Sequence, residues 1–170
     1  GLSEKWYQFE ESIRVPLVIQ DPRMPMELHG TTSDAWTLNI DLAPTMLGAA
    51  KVAPSSFMQG RDIANLYLHA DVTSWRKDFF YEYNRGDPVT AEGHVGKFWI
   101  DASFALITDE WKYVYWPQHD YEQLFHRSVD PYDEWDMLNA SMIQTTDDIY
   151  LKMKTRYEFL KDWVLSGKRV

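Results

Sequence analysis

The sequence predicts an α/β chain: the end of a large mixed sheet, then a small antiparallel sheet packed on a C-terminal helix. Three features carry that expectation. Leu17-Val18-Ile19 is a short apolar run closed by Asp21-Pro22 and reads as a buried strand. Residues 103–108 and 111–116 are two apolar and aromatic runs joined through Thr108-Asp109-Glu110, the pattern of an antiparallel hairpin. Ile149, Met153, Tyr157, Leu160 and Val164 recur at helical spacing, laying one apolar stripe along a helix from about Thr146 to Ser166.

Composition narrows the function classes. Hydrophobic residues make up 45% of the 170, enough to bury a core. Against 17 basic residues stand 26 acidic ones, a net charge of −9, and phosphate binding needs a basic face, so nucleic acid is not an expected partner. No apolar run approaches the length of a membrane span. Gly1-Leu2-Ser3-Glu4-Lys5 has neither a basic leader nor an apolar core behind it and no initiating Met, which suits a segment of something longer. Cysteine is absent, which excludes disulfides, thiolate metal sites and a cysteine nucleophile within these residues.

Taken in order, the chain opens on Lys5 among aromatic residues, followed by Glu10, Glu11 and Arg14. Glu10 and Arg14 stand four apart and pair if one helical turn separates them. Lys5 has no partner at that spacing, and a desolvated ammonium calls for an anion. Residues 20–34 read as a loop, with a turn at His29-Gly30. At Asn39–Ala50 a helix is expected, with Asp41 as its cap and Pro44 in the first turn; a metal ligand is the alternative role for Asp41. The polar stretch 70–76 suggests a boundary, dividing the chain into 1–72, part of a larger α/β domain, and 73–170, a small α+β subdomain.

Asp78–Tyr83 is a strand with an aromatic load, broken by Asn84-Arg85-Gly86-Asp87-Pro88. Val89–Lys97 reads as loop, with His94 either a substrate contact or a solvated residue. In the second hairpin strand Trp111, Tyr113 and Tyr115 share one face, and Lys112, Val114 and Trp116 the other. Tyr121–Phe125 makes a third strand of this sheet. Thr145 to Asp148 fits a capping box, Gly167 a left-handed C-cap, and Lys168-Arg169 the negative end of the helix dipole. Asp147, Asp148, Glu158 and Asp162 acidify the polar face, which argues against a membrane-surface helix.

The five histidines, at 29, 69, 94, 119 and 126, fall at no metal-like spacing. His119, in the loop after Trp116-Pro117-Gln118, is a candidate sugar contact; the alternative is an ordinary loop residue. No nucleophile elbow, phosphate loop or dinucleotide fingerprint occurs. No complete catalytic constellation is present, so a non-catalytic sugar-binding module competes with an enzyme.

Four ordered stretches resemble the formylglycine-dependent sulfatases of the alkaline phosphatase superfamily. Lys5, Trp6, Phe9, Glu10, Ser12, Arg14, Pro16 and Leu17 match the run "G-K-W-x-x-Y/F-E-x-S-x-R-x-P-L", with Glu4 where the glycine usually stands. Asn39–Ala50 resembles "D-x-A-P-T-x-L-x-x-A-G" from Asp41 onward, and Met58–Asp62 the "x-Q-G-x-S/D" that follows. Thr108–Val114 resembles "R-T-x-x-x-K-Y-I", with Ile107 in place of the arginine of many relatives, so a contact made by that arginine is lost. Glu122–Leu138 resembles "E-L-Y-D-L-x-x-D-P-x-E-x-x-N-L", departing at Phe125, His126 and Trp135-Asp136-Met137.

The resemblance implies the C-terminal portion of an alkaline-phosphatase-like fold and hydrolysis of a sulfate ester of a carbohydrate or other small organic molecule. It assigns Lys5 to the sulfate group. It places the formylglycine and the calcium ion, with the aspartates and the asparagine or histidine that hold it, in an N-terminal half preceding Gly1. No metal ligand is expected here, and the chain alone is expected to be inactive. The implied partners are a sulfated sugar and that N-terminal half, in a periplasmic, secreted or lysosomal protein. Phosphonate and phosphodiester hydrolases of the same superfamily are the neighbouring alternative; a non-catalytic module recognising a sulfated or neutral sugar and a degenerate sulfatase-like partner subunit are the others.

Overall fold

The structure is a computed structural model that describes residues 6–69, 72, 74–84 and 101–166. In chain order its elements are α1 (Glu10–Ile13), α2 (Leu42–Ala49), α3 (Asn65–Leu68), β1 (Asp78–Tyr83), β2 (Ser103–Thr108), β3 (Trp111–Trp116), β4 (Tyr121–His126) and α4 (Asp148–Leu165), with short 3-10 turns at Met26–Leu28 and Asn39–Asp41. They divide into two compact units. One comprises the described parts of Gly1–Pro16 and Asp78–Lys161, the other those of Leu17–Lys77 and Asp162–Val170.

The first unit is an antiparallel meander in the order β1-β2-β3-β4. Its central hairpin is closed by Thr108, whose Oγ1 accepts the Trp111 amide at 2.9 Å and donates to the Trp111 carbonyl at 3.0 Å. Leu106 pairs with Tyr113 and Tyr113 with Leu124, so one face collects Phe80, Leu106, Tyr113 and Leu124. Helix α4 covers that face: Tyr157 lies 4.9 Å from Tyr113 and 5.6 Å from Phe80, ring centre to ring centre. Ion pairs tie it to both outer strands, Arg156 to Asp78 at 2.6 Å and Lys154 to Glu122 at 2.6 Å. On the other face Ala105, Ile107, Val114 and Phe125 are buried together with Lys112. The free edge of β4 is masked by the chain itself. Asp136 accepts the Leu124 amide, and the Met137 amide donates to the Leu124 carbonyl at 2.8 Å.

The second unit holds little regular structure. It is organised by Asp41, which is fully buried. Oδ1 accepts the Arg61 amide and Arg76 Nη2, each at 2.8 Å. Oδ2 accepts the Leu38 amide at 2.7 Å and also Arg76 Nη1. Thr45 extends the clamp by taking the Ile63 amide at 3.0 Å. A side chain at Gly60 would stand 1.9 Å from the Ile40 carbonyl oxygen, so the close approach of 59–62 to 40–41 requires glycine. The two expected stretches 39–50 and 58–62 are thus bonded to one another.

The α/β class and the small sheet with its C-terminal helix are the expected ones; four local readings change. Leu17-Val18-Ile19 forms no strand and is not buried: Val18 is 91% exposed, and no described strand pairs with it. An apolar run becomes a strand only where a ladder partner exists. Asp41 precedes α2 without capping it, because a guanidinium and two loop amides take its carboxylate. These four N–H donors fill the lone pairs of both oxygens, which leaves none for a metal. The side-chain bond before α4 runs from the Gln144 amide to Asp147 at 2.8 Å, in place of the Thr145–Asp148 pair. Along α4, Met153, Tyr157 and Leu160 are buried as the stripe requires, but Tyr150 is more deeply buried than Ile149. Gly167, Lys168 and Arg169 lie outside the described residues.

Candidate functional site

The segment that follows Lys5 lies on the sheet face opposite α4. Phe9 is extended, and α1 is a single turn in which the Arg14 amide reaches the Glu10 carbonyl at 2.9 Å. That turn forms as the spacing of Glu10 and Arg14 requires, yet their side chains do not pair. The Glu10 carboxylate instead accepts Arg127 Nη2 at 2.9 Å and Lys112 Nζ at 3.3 Å. Inward ammonium and guanidinium groups outcompete a solvated arginine because a charge gains more from its partner away from water. Burial alone would raise the Glu10 carboxyl; Lys112 and Arg127 override it and hold the group below its ordinary value.

Lys112, the second residue of β3, is wholly buried. Its ammonium donates to the Gln8 carbonyl at 3.0 Å, to Glu10, and to Asp133 Oδ2 at 2.5 Å. Asp133 reaches it from a left-handed backbone conformation, φ 57°, which aspartate tolerates better than most side chains. Burial pushes the Asp133 carboxyl up against the pull of Lys112. Its Oδ1, like both polar atoms of the buried Gln8 amide, has no partner.

The same segment reaches the end of the sheet where β1 finishes, β2 begins and β3 turns into β4. Tyr7 meets the Trp116 ring edge-on at 5.0 Å, and Trp6 meets Tyr83 at 5.7 Å. The Tyr81 hydroxyl donates to the Trp6 carbonyl at 3.0 Å. At this end stands His119, largely exposed, with Nε2 2.7 Å from Asp101 Oδ2. Burial and the neighbouring Asp101 charge push the Tyr7 hydroxyl up, so it stays protonated and can donate. Trp116 Nε1 donates to Gln123 at 2.7 Å, which fixes its ring. Aromatic faces and edges beside an oriented imidazole and a carboxylate suit a sugar, whose CH faces stack while its hydroxyls hydrogen-bond.

Of the sequence candidates, His119 stands at this end, whereas Lys5 and His94 lie outside the described residues. His29 binds locally, its Nε2 3.1 Å from the Met24 carbonyl. Lys112, Asp133 and Arg127 were not candidates. The signal available for Lys112 was its position: a lysine alternating with Val114 and Trp116 on an inward face must find carboxylates. Among the described residues no group of three or more His, Asp or Glu side chains could hold a metal ion.

A family model described as N-sulphoglucosamine sulphohydrolase, C-terminal, matches residues 1–162. The chain is 26% identical to the N-acetylglucosamine-6-O-sulfatase of Bacteroides thetaiotaomicron over 139 residues, covering 81% of this chain and 22% of that protein. It therefore spans about a fifth of the length of that curated relative. Among solved structures, a protein in complex with its substrate D-glucosamine-2-N,6-O-disulfate superposes with a TM-score of 0.59 at 22% identity, covering 81% of this chain and 26% of the other. The phosphonate monoester hydrolase of Agrobacterium radiobacter gives 0.53 at 17% identity, covering 79% and 25%. At these identities the structural likenesses establish the fold.

Proposed function

The chain belongs to the N-sulphoglucosamine sulphohydrolase C-terminal family, and from that premise we propose that it is the C-terminal portion of an enzyme hydrolysing sulfate esters of a sugar. Lys5 is the sulfate ligand, and His119 with the Tyr7–Trp116 wall contacts the sugar. The supporting observation is the placement of Trp6 and Tyr7, the two residues after Lys5, at the sheet end that carries Trp116, His119 and Asp101. In this reading the Lys5 ammonium neutralises charge on the sulfate oxygens and on the leaving oxygen, where negative charge develops. Asp101 accepts from His119 Nε2–H, which orients the ring and leaves Nδ1 for a sugar hydroxyl.

Among the described residues no group of three or more acidic or histidine side chains fits a calcium ion, and both oxygens of the buried Asp41 are filled by N–H donors. The calcium ion and the formylglycine belong, in this reading, to the N-terminal half of the same enzyme. With no cysteine to convert, these 170 residues alone turn nothing over. The exposure of Leu17 and Val18 supports that half as the partner, because apolar side chains left in water favour burial against another surface.

The test is steady-state hydrolysis of an aryl sulfate by the full-length enzyme. Lys5→Ala should lower kcat/KM by on the order of 10²-fold or more; unchanged kinetics would remove Lys5 from the site. An aryl phosphodiester run alongside separates the phosphonate and phosphodiester reading, to which the Agrobacterium fold likeness lends weight. Sulfate release by the 170-residue piece alone would overturn the account of the nucleophile.

A further inference from the structure

We infer that Glu10 and Lys112 are positioning residues for the sulfate site: together they set the register in which the segment after Lys5 lies on the sheet. The inference rests on the assignment of Lys5 above. A fully buried ammonium is a poor choice for packing alone, since an apolar side chain of similar volume serves as well or better. What the charge adds is a directional anchor. Of the three bonds Lys112 makes, two go to the segment after Lys5, at the Gln8 carbonyl and the Glu10 carboxylate. The third goes to Asp133, in the loop that follows β4. Arg127 repeats the grip on Glu10 and is itself held by the Thr108 carbonyl at 2.9 Å.

A slip of the segment by one residue would move both acceptors roughly 3.5 Å along the sheet and break both bonds at once. Tyr7 and Trp6 carry the register onward, through Trp116 and through Tyr81 and Tyr83. Gln8 itself contributes only its carbonyl, because its side-chain amide is buried without a partner. A salt link between Glu10 and Lys112 is therefore coupled to Trp6 and Tyr7, the two residues after Lys5, with no contact of its own at the sheet end.

A double-mutant cycle on the full-length enzyme tests this, with an aryl sulfate as substrate. Glu10→Gln keeps the shape of the side chain and removes its charge; it should lower kcat/KM by roughly 10- to 10²-fold, as a displacement of about 1 Å does. It should also weaken inhibition by inorganic sulfate. In the Lys5→Ala background the same change should cost less than about 2-fold, because its effect passes through Lys5. Lys112→Met should behave likewise if it folds; if it does not, Glu10→Gln decides. A Glu10→Gln penalty that multiplies in full with that of Lys5→Ala overturns the inference, as does unchanged kcat/KM per folded molecule. A Lys5→Ala enzyme of normal activity overturns the Lys5 assignment and this inference with it. A costly Lys5→Ala with an additive Glu10→Gln overturns the inference alone.

Discussion

Each of the two units is gathered around one buried charge, and the two charges are handled differently. Asp41, in the unit that contains Leu17–Lys77, receives four N–H donors from Leu38, Arg61 and Arg76 and has no lone pair left over. Lys112, in the sheet unit, is wholly buried as well, but around it Asp133 Oδ1 and the Gln8 amide stay unpaired. The first arrangement is closed and reads as structure: it fastens 38–41 to 61 and 76 where few apolar contacts do so. The second bears an unpaired cost on the segment that leads to Lys5. A fully satisfied polar cluster stabilises, and a partly satisfied one persists when it specifies something else.

The largest expected effect follows from breaking the closed cluster. Asp41→Ala strands the Arg76 guanidinium, only 6% exposed, together with two loop amides, and should destabilise the protein by about 3–5 kcal/mol. A denaturant midpoint shifted by less than the equivalent of about 1 kcal/mol would show that the clamp does not hold that unit. Lys112→Met should cost less, about 2–3 kcal/mol, because Asp133 can take up a proton and Glu10 keeps Arg127. A cost equal to that of Asp41→Ala would erase the contrast between the clusters.

Acid sharpens the comparison further. The folded Glu10 and Glu122 carboxyls lie below their ordinary value of 4.5, Glu10 through Lys112 and Arg127 against burial, Glu122 through Lys154 and Tyr150 against burial. Their contribution to stability is therefore present above about pH 4.5 and is lost as pH falls through the folded values. Asp133 has the opposite sign: its carboxyl is raised, so its contribution is present at low pH and lost as pH rises through the folded value. Unfolding followed between pH 6 and 3 should show a shallower acid loss in Glu10→Gln than in the parent protein, and an unchanged slope would count against the Glu10 linkage. The smallest effect is expected at Tyr157, whose buried hydroxyl has no partner. Tyr157→Phe should change stability by less than about 0.5 kcal/mol, whereas a loss above about 1 kcal/mol would mean that the hydroxyl is bonded.

Period and punctuation alone determined the sheet region. The apolar and aromatic runs 103–108 and 111–116 about Asp109-Glu110 indicated the hairpin, and Met153, Tyr157 and Leu160 the buried stripe of α4, because these patterns depend on neighbours close in sequence. The order of four short stretches likewise indicated the family that the match over residues 1–162 establishes. The partners of the buried charges were not legible. Glu10 passes over Arg14, four residues away, for Lys112 and Arg127, and Asp41 passes over α2 for Arg76. Leu17-Val18-Ile19 carries a strand's composition without a strand's partner. Local spacing tells what a residue can reach within a turn or a strand. Which charge it pairs with depends on which distant segments exclude water around it, and only the tertiary structure decides that.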